Sequence, residues 1–198
     1  VYVKEIWRYP VKSMAGERIQ QANVGLLGID GDRVSKVVDG RGRLVTARTH
    51  PGLLGLDGRK PAADLIAAVH EIAGPGAKLI RDETEERFDI LPLLVATDGA
   101  IAEFGRDVRR LRPNIVIGGV EGLAERQWPG RSLRIGDLAI RLDSLRGRCV
   151  VTTYDPDSLE QDPAILREIV RKFGGRLALN AWVEHPGPVE VGQAVELL

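Results

Sequence analysis

The chain has a single cysteine, Cys149, among 198 residues. This excludes internal disulfides, zinc ribbons and iron–sulfur clusters held by the chain alone, and it suits a reducing, cytoplasmic setting. Histidine is almost as scarce: of three, His50 and His185 each precede a proline, and His70-Glu71 lacks the second histidine of a zinc-binding H-E-x-x-H helix. An all-protein zinc or iron cage is therefore not expected. No apolar run approaches the roughly 20 residues of a membrane span. The first nine residues interleave Lys4, Glu5 and Arg8 with apolar ones, unlike a signal peptide. No G-x-G-x-x-G follows a strand, and neither a phosphate-loop, a G-x-S-x-G nor an EF-hand pattern occurs. Net charge is missing too, since 28 Lys and Arg balance 28 Asp and Glu. The simplest electrostatic case for a nucleic-acid partner is thereby removed.

The balance conceals an uneven distribution. Residues 1–50 hold nine basic against five acidic side chains, 105–115 four against one, and 131–149 five against two, so these segments together carry +10. Brought together by the fold, they would make a basic cleft suited to phosphate. Left apart, the arginines would pair with acids on neighbouring strand faces.

Short apolar runs bounded by Gly, Pro, Asn and Asp predict strands at 2–8, 18–24, 34–38, 43–47, 77–81, 115–117, 138–142, 148–154, 179–183 and 194–198. Asp39-Gly-Arg-Gly42 reads as a hairpin turn. Three helices are predicted. Pro61–Ile72 carries Leu65, Ile66, Val69 and Ile72 at helical spacing, and Thr97 or Asp98 caps a second helix with Ile101 and Phe104 on one face. Asp162-Pro163 opens a third, with a stripe of Ile165, Leu166, Ile169, Val170 and Phe173 ended by Gly174-Gly175. Many strands with few helices and no βα alternation make an α+β protein, mostly β, with an antiparallel or barrel-like sheet. The polar run 81–87 reads as an exposed turn or a boundary.

With the standard motifs absent, chemistry would come from an imported cofactor or from Cys149. That residue stands between Arg148 and Val150, with Arg146 close by. Two arginines favour the thiolate, the form that ligates metals and attacks electrophiles. The plainer alternative is a small apolar filler in a strand.

Several blocks carry a resemblance. Ile6-Trp-Arg-Tyr-Pro-Val-Lys-Ser13, Leu26-Leu-Gly-Ile-Asp-Gly-Asp-Arg33 and Val45-Thr-Ala-Arg-Thr-His-Pro-Gly-Leu53 resemble the N-terminal barrel that precedes MOSC domains. Arg112-Pro-Asn-Ile-Val-Ile117, Gly147-Arg-Cys149 with Thr152-Thr153, Asp155-Pro-Asp157 and the closing Gly187…Val191-Gly192 resemble the MOSC domain itself, named after the C-terminal domain of molybdenum cofactor sulfurase. The likeness spans nearly the whole chain apart from about residues 58–86. In architecture it is similar to the mitochondrial amidoxime-reducing component and its bacterial counterparts. The resemblance implies a MOSC-type β-barrel (residues 85–198) fused to a smaller N-terminal β-barrel-like domain (residues 1–84), with a few short helices.

It also implies the molybdenum cofactor, a molybdenum bound by one pterin dithiolene, with Cys149 as the metal's protein ligand. A soft thiolate suits such a centre. By block position, Lys12, Ser13, Arg33, Thr97, Arg112, Asn114 and Arg148 are the expected cofactor-binding residues. Asp155 would orient a water or proton donor near the metal, or else form an Asx turn before Pro156. The activity implied is reduction of small N-hydroxylated molecules, with electrons from a separate protein because this chain lacks cluster cysteines, and with neither nucleic acid nor membrane as partner. Gly147 departs from the hydroxyl residue of the amidoxime-reducing proteins, and the region between Gly58 and Phe88 is shorter. Pyridoxal phosphate, linked to the sulfurase parent, is discounted because neither Lys4 nor Lys12 sits in a Schiff-base signature. Two alternatives stay open: a cofactor carrier or sulfur-transfer protein using Cys149, and a metal-free anion- or nucleotide-binding relative.

Overall fold

The computed structural model describes residues 1–84 and 87–198. In chain order the elements are β1 (Tyr2–Arg8), β2 (Glu17–Ile19), β3 (Gln21–Gly25), β4 (Gly28–Ile29), β5 (Ser35–Val38), β6 (Leu44–Val45), α1 (Ala62–Ala73), β7 (Lys78–Arg81), β8 (Leu93–Thr97), α2 (Asp98–Phe104), β9 (Ile115–Gly118), β10 (Ser132–Ile135), β11 (Leu138–Gly147), α3 (Pro163–Phe173), β12 (Arg176–His185), β13 (Gly187–Glu190) and β14 (Glu196–Leu197). The fold is α+β and mostly β.

An eight-stranded sheet runs β14-β10-β11-β12-β8-β9-β1-β2, antiparallel except for the parallel pair β8 and β9. At its centre, β8 is buried along its whole length, which is why Leu93–Thr97 shows no alternation for sequence reading to find. Strand β1 buries both Val3 and Ile6 because its register against β9 shifts between Val3 and Glu5. That extra residue returns Ile6 to the core face. Among the described residues the large sheet does not close into a barrel. It curls far enough for the segment before β14 to bond the start of β1, with Val3 N donating to Gln193 O at 2.9 Å and Gly192 N to Val3 O at 2.7 Å. Two three-stranded sheets complete the molecule, β13-β3-β4 and β6-β5-β7.

Among the described residues four apolar clusters fill the interior, the smallest being Leu94, Ala96 and Ala178. The largest fills the curled sheet with Val3, Ile6, Ile115, Leu133, Ile140 and Leu179, and draws in Val24 and Ile29 from β3 and β4. A second packs α1 (Leu65, Val69) on Val37, Val45 and Met14. The third joins α2 and α3 through Phe104, Ile165, Ile169 and Phe173. No helix among the described residues is long and apolar enough to cross a membrane.

Three sequence expectations need correction. Residues 18–24 are two strands, because the chain passes to another sheet at Gln20, whose carbonyl accepts from Val191 N at 2.9 Å. Residues 148–154 are not a strand but a 3₁₀ turn, Val150–Thr153, in which the Thr152 and Thr153 hydroxyls donate to the carbonyls of Cys149 and Val150 at 2.8 and 2.6 Å. Val170, placed in the buried stripe of α3, is 59% exposed. Strands β4, β8, β10 and β13 lie outside the expected ranges; β13 carries Pro188, a residue that weakens a strand signal. The expected boundary between residues 84 and 85 meets Glu85 and Glu86, which lie outside the described residues, as does that part of the 81–87 run.

Candidate functional site: a cationic cleft with one thiol

Three turns supply the first half of the site. After β1 the chain folds at Val11–Met14, closed by Met14 N donating to Val11 O at 3.1 Å, with Ser13 at φ 72°. After β4 it turns at Asp32-Arg33, where Arg33 has φ 53°, and before β9 at Arg112-Pro113-Asn114, where Arg112 has φ 57°. L-residues occupy this left-handed region at a cost of about 1 kcal/mol or more. Of the five non-glycine residues that do so among those described, these three line one cavity. The end of β11 supplies the other half, with Arg146, Gly147, Arg148 and Cys149.

The cavity has a volume of about 330 Å³ and is lined by Lys12, Arg33, Arg48, Arg112, Arg146 and Arg148, with Asp89 the one acid among the described lining residues. Its floor is organised around Tyr9, which is 2% exposed. The Arg33 and Arg112 guanidinium carbons lie 4.8 and 4.3 Å from the Tyr9 ring centroid. The Tyr9 hydroxyl donates to Pro113 O at 3.1 Å, and Asp32 ties Tyr9 N to the Arg33 guanidinium. Arg112 Nη2 donates to Met14 O and Arg148 Nη2 to Leu111 O, both at 2.7 Å. Asn114 Oδ1 accepts from Leu94 N at 3.1 Å and from Arg33 Nη1 at 3.3 Å. Closer to Cys149, Asp89 accepts from Lys12 (3.0 Å), Arg48 (2.9 Å) and Arg146 (3.4 Å).

Burial pushes both Arg112 and Arg148 down to about 10, so they stay protonated at neutral pH but at an energetic cost. Burial also raises the Tyr9 phenol, keeping it neutral. Burial pushes the Asp89 carboxyl up, but Lys12, Arg48 and Arg146 outweigh it and hold it below the usual carboxylate range. The Asp89 charge raises Arg48, and the Cys149 sulfur beside it adds to the effect. Arg148 Nε is buried without a hydrogen-bond partner among the described residues. Such an unpaired donor costs about 1–3 kcal/mol unless something else binds it. A Cβ built on Gly147 meets nothing within 4 Å, so the wall there is open.

Of the residues expected from sequence, Lys12, Ser13, Arg33, Arg112, Asn114, Arg148 and Cys149 line the cavity together. Thr97 and Asp155 do not. Thr97 is fully buried and caps α2, accepting from Ala100 N at 3.2 Å and donating to Glu125 at 3.3 Å. Asp155 makes the Asx turn, accepting from the backbone of Asp157 and Ser158 at 3.0 Å and pairing with Arg110 at 2.8 Å. Sequence reasoning did not select Tyr9, Arg48, Asp89 or Asn180, and it noted Arg146 only as a neighbour of Cys149. Tyr9 and Arg48 lie inside blocks that carry the resemblance, which was the available signal. Nothing local distinguishes Asp89 from a surface acid.

These features define a class of site: an anion-binding cleft with convergent, partly desolvated cations and a lone thiol on its wall. The chain belongs to the MOSC family. Residues 97–196 match the MOSC domain and residues 1–73 the MOSC N-terminal beta barrel domain. It is 25% identical to mitochondrial amidoxime-reducing component 1 of Homo sapiens, over 99% of this chain and 82% of that protein. With mitochondrial amidoxime reducing component 2 of Homo sapiens the identity is 22%, over 79% and 67%. Among solved structures, the YuaD protein from Bacillus subtilis is similar in fold, with a TM-score of 0.58 at 14% identity over 99% of this chain and 94% of that one.

Proposed function

We propose that the protein binds the molybdenum cofactor in this cleft and reduces small N-hydroxylated molecules with electrons from a separate donor protein. The observation that carries the reading is the convergence of one thiol and six cations on a single cavity. The residues present fit the group. The excess positive charge suits a phosphate, the unpaired Arg148 Nε awaits an acceptor, and Cys149 offers the soft donor that molybdenum takes. Similarity to amidoxime-reducing components supports the choice of reaction.

In this reading Lys12, Arg33, Arg112 and Arg148 hold the phosphate, with Ser13 and Asn114 supporting the same wall. When bound, the cofactor would supply two-electron oxygen-abstraction chemistry. Cys149 would offer its sulfur to the metal from the N-cap position of the 3₁₀ turn, whose hydroxyl–carbonyl bonds fix that turn without using the sulfur. Arg48 and Arg146 lie beside the sulfur. We divide the chain at residues 84 and 85; each part then contributes cations to the one cleft, consistent with a ligand held between two domains. A reducing, cytoplasmic setting, which keeps a lone thiol free, goes with this reading.

The test is elemental molybdenum in protein from a cofactor-competent host, alongside Cys149→Ala. Near-stoichiometric metal is expected in the wild type and little in the variant. Compared in cofactor-free form, the variant's unfolding temperature should stay within about 4 °C of wild type, since the Cys149 side chain contributes under about 1 kcal/mol here. Metal-free wild type would remove the reading. Bound metal without turnover of an amidoxime, given an artificial donor, would leave a carrier.

A further inference from the structure

We propose that Asp89 is an internal counter-ion that occupies the cationic cleft in the ligand-free protein and must give up Lys12, the cation it shares with the phosphate-holding set, when a phosphate group binds, thereby setting how tightly the cleft holds anions. This rests on the phosphate-binding reading above. Three cations from three separate stretches of chain meet on this one carboxylate: Lys12 after β1, Arg48 after β6 and Arg146 at the end of β11.

The cations are anchored independently, at least in part. Lys12 Nζ also donates to Arg87 O at 2.9 Å, and Arg146 Nη1 to Asn180 Oδ1 at 3.2 Å. The Lys12 side chain is only 8% exposed, whereas that of Asp89 is 34% exposed, on the segment between β7 and β8. Lys12 and Arg146 are therefore held without Asp89, and the anion has room to turn toward solvent. Asp32 differs: it is fully buried and bonded to Tyr9 N, so it belongs to the wall. A phosphate monoester brings nearly two charges and three acceptor oxygens to cations that a carboxylate serves with one charge. Exchange is favourable, but it must first break the contacts of Asp89.

The test uses the full chain, made in a host that cannot synthesise the cofactor, with inorganic phosphate as the probe. Calorimetric titration at pH 8 and low ionic strength compares wild type with Asp89→Asn and Asp89→Ser. Both variants should bind phosphate about tenfold more tightly, the size expected for removing one negative charge about 6 Å from a dianion in a largely aqueous dielectric. The gain should shrink as salt rises. Thermal unfolding run in parallel should show both variants destabilised without phosphate and restored by it, because three cations have lost their counter-charge. Equal or weaker binding by both variants, with wild type still binding, overturns the proposal and leaves the cofactor reading intact. Absence of phosphate binding in all three proteins overturns both.

Discussion

Replacing Tyr9 tests whether the cleft's deep cations are positioned by an aromatic ring. Tyr9→Phe keeps the ring and removes a hydroxyl that donates to Pro113 O. One unpaired buried carbonyl costs about 1–2 kcal/mol, or about 2–8 °C in Tm for a domain of this size. Tyr9→Leu removes the ring beneath Arg33 and Arg112 as well. The lost cation–π contacts are worth about 0.5–2 kcal/mol each. Truncation adds about 2–4 kcal/mol for the cavity. Collapse should be poor, because a second cavity of about 80 Å³ already adjoins Tyr9 and Arg112. With the hydroxyl bond also lost, the expected loss is therefore about 4–10 kcal/mol, against about 1–2 for the Phe variant. Calorimetric titration of phosphate should then show affinity within about threefold of wild type for Tyr9→Phe and at least tenfold weaker for Tyr9→Leu, a difference of about 1.4 kcal/mol or more. Equal losses in the two variants would mean that the hydroxyl, not the ring, organises the cleft. Wild-type affinity in folded Tyr9→Leu would mean the guanidinium groups hold their places unaided.

Thr97→Val should lower stability by about 1–2 kcal/mol, the worth of a helix N-cap, while phosphate affinity stays within about twofold; a larger loss of affinity would return Thr97 to the site. Asp82 is held at about 2 rather than 3.8, mainly by its hydrogen bond from Lys36 and then by Thr84. Since the folded-state value is the lower one, the stability it confers is complete above pH 3.8 and disappears as pH falls toward 2. Asp82→Asn should flatten that acid limb of the unfolding free energy from urea titration by about 2 kcal/mol, and an unchanged slope between pH 5 and 2 would refute the assignment.

The parts of the fold that sequence exposes are those written locally. Helix α3 announces itself through Asp162, which accepts from Ala164 N at 2.9 Å, through Pro163 in the first turn, and through Gly174 at φ 62°. The Asp39–Gly42 turn joins β5 to β6 as its glycines require, with Gly42 N donating to Asp39 O at 2.9 Å. Strand β8 has no such signature, because it is covered on both faces and its apolar run has no period. The 3₁₀ turn after Cys149 is hidden for the opposite reason. Val150, Val151, Thr152 and Thr153 have the composition of a strand, and only the hydroxyl bonds back to the preceding carbonyls reverse that preference.

The cleft illustrates why a site is harder to read than the fold around it. Ser13, Arg33 and Arg112 adopt left-handed backbone without being glycine, so the sequence carries no mark of their conformation. Each has to be held there by contacts that offset the strain. Arg33 N donates to Tyr9 O at 2.6 Å, and Arg112 reaches Met14 O from 98 positions along the chain. The turns that bend these residues inward are thus stabilised by one another and by Tyr9, not by local propensity. This explains how seven of the nine expected residues could be named by position in recognisable blocks while Asp89, which joins Lys12, Arg48 and Arg146, could not. The identity of a cation can be inherited from a pattern, but the partner that balances its charge emerges only when distant turns meet.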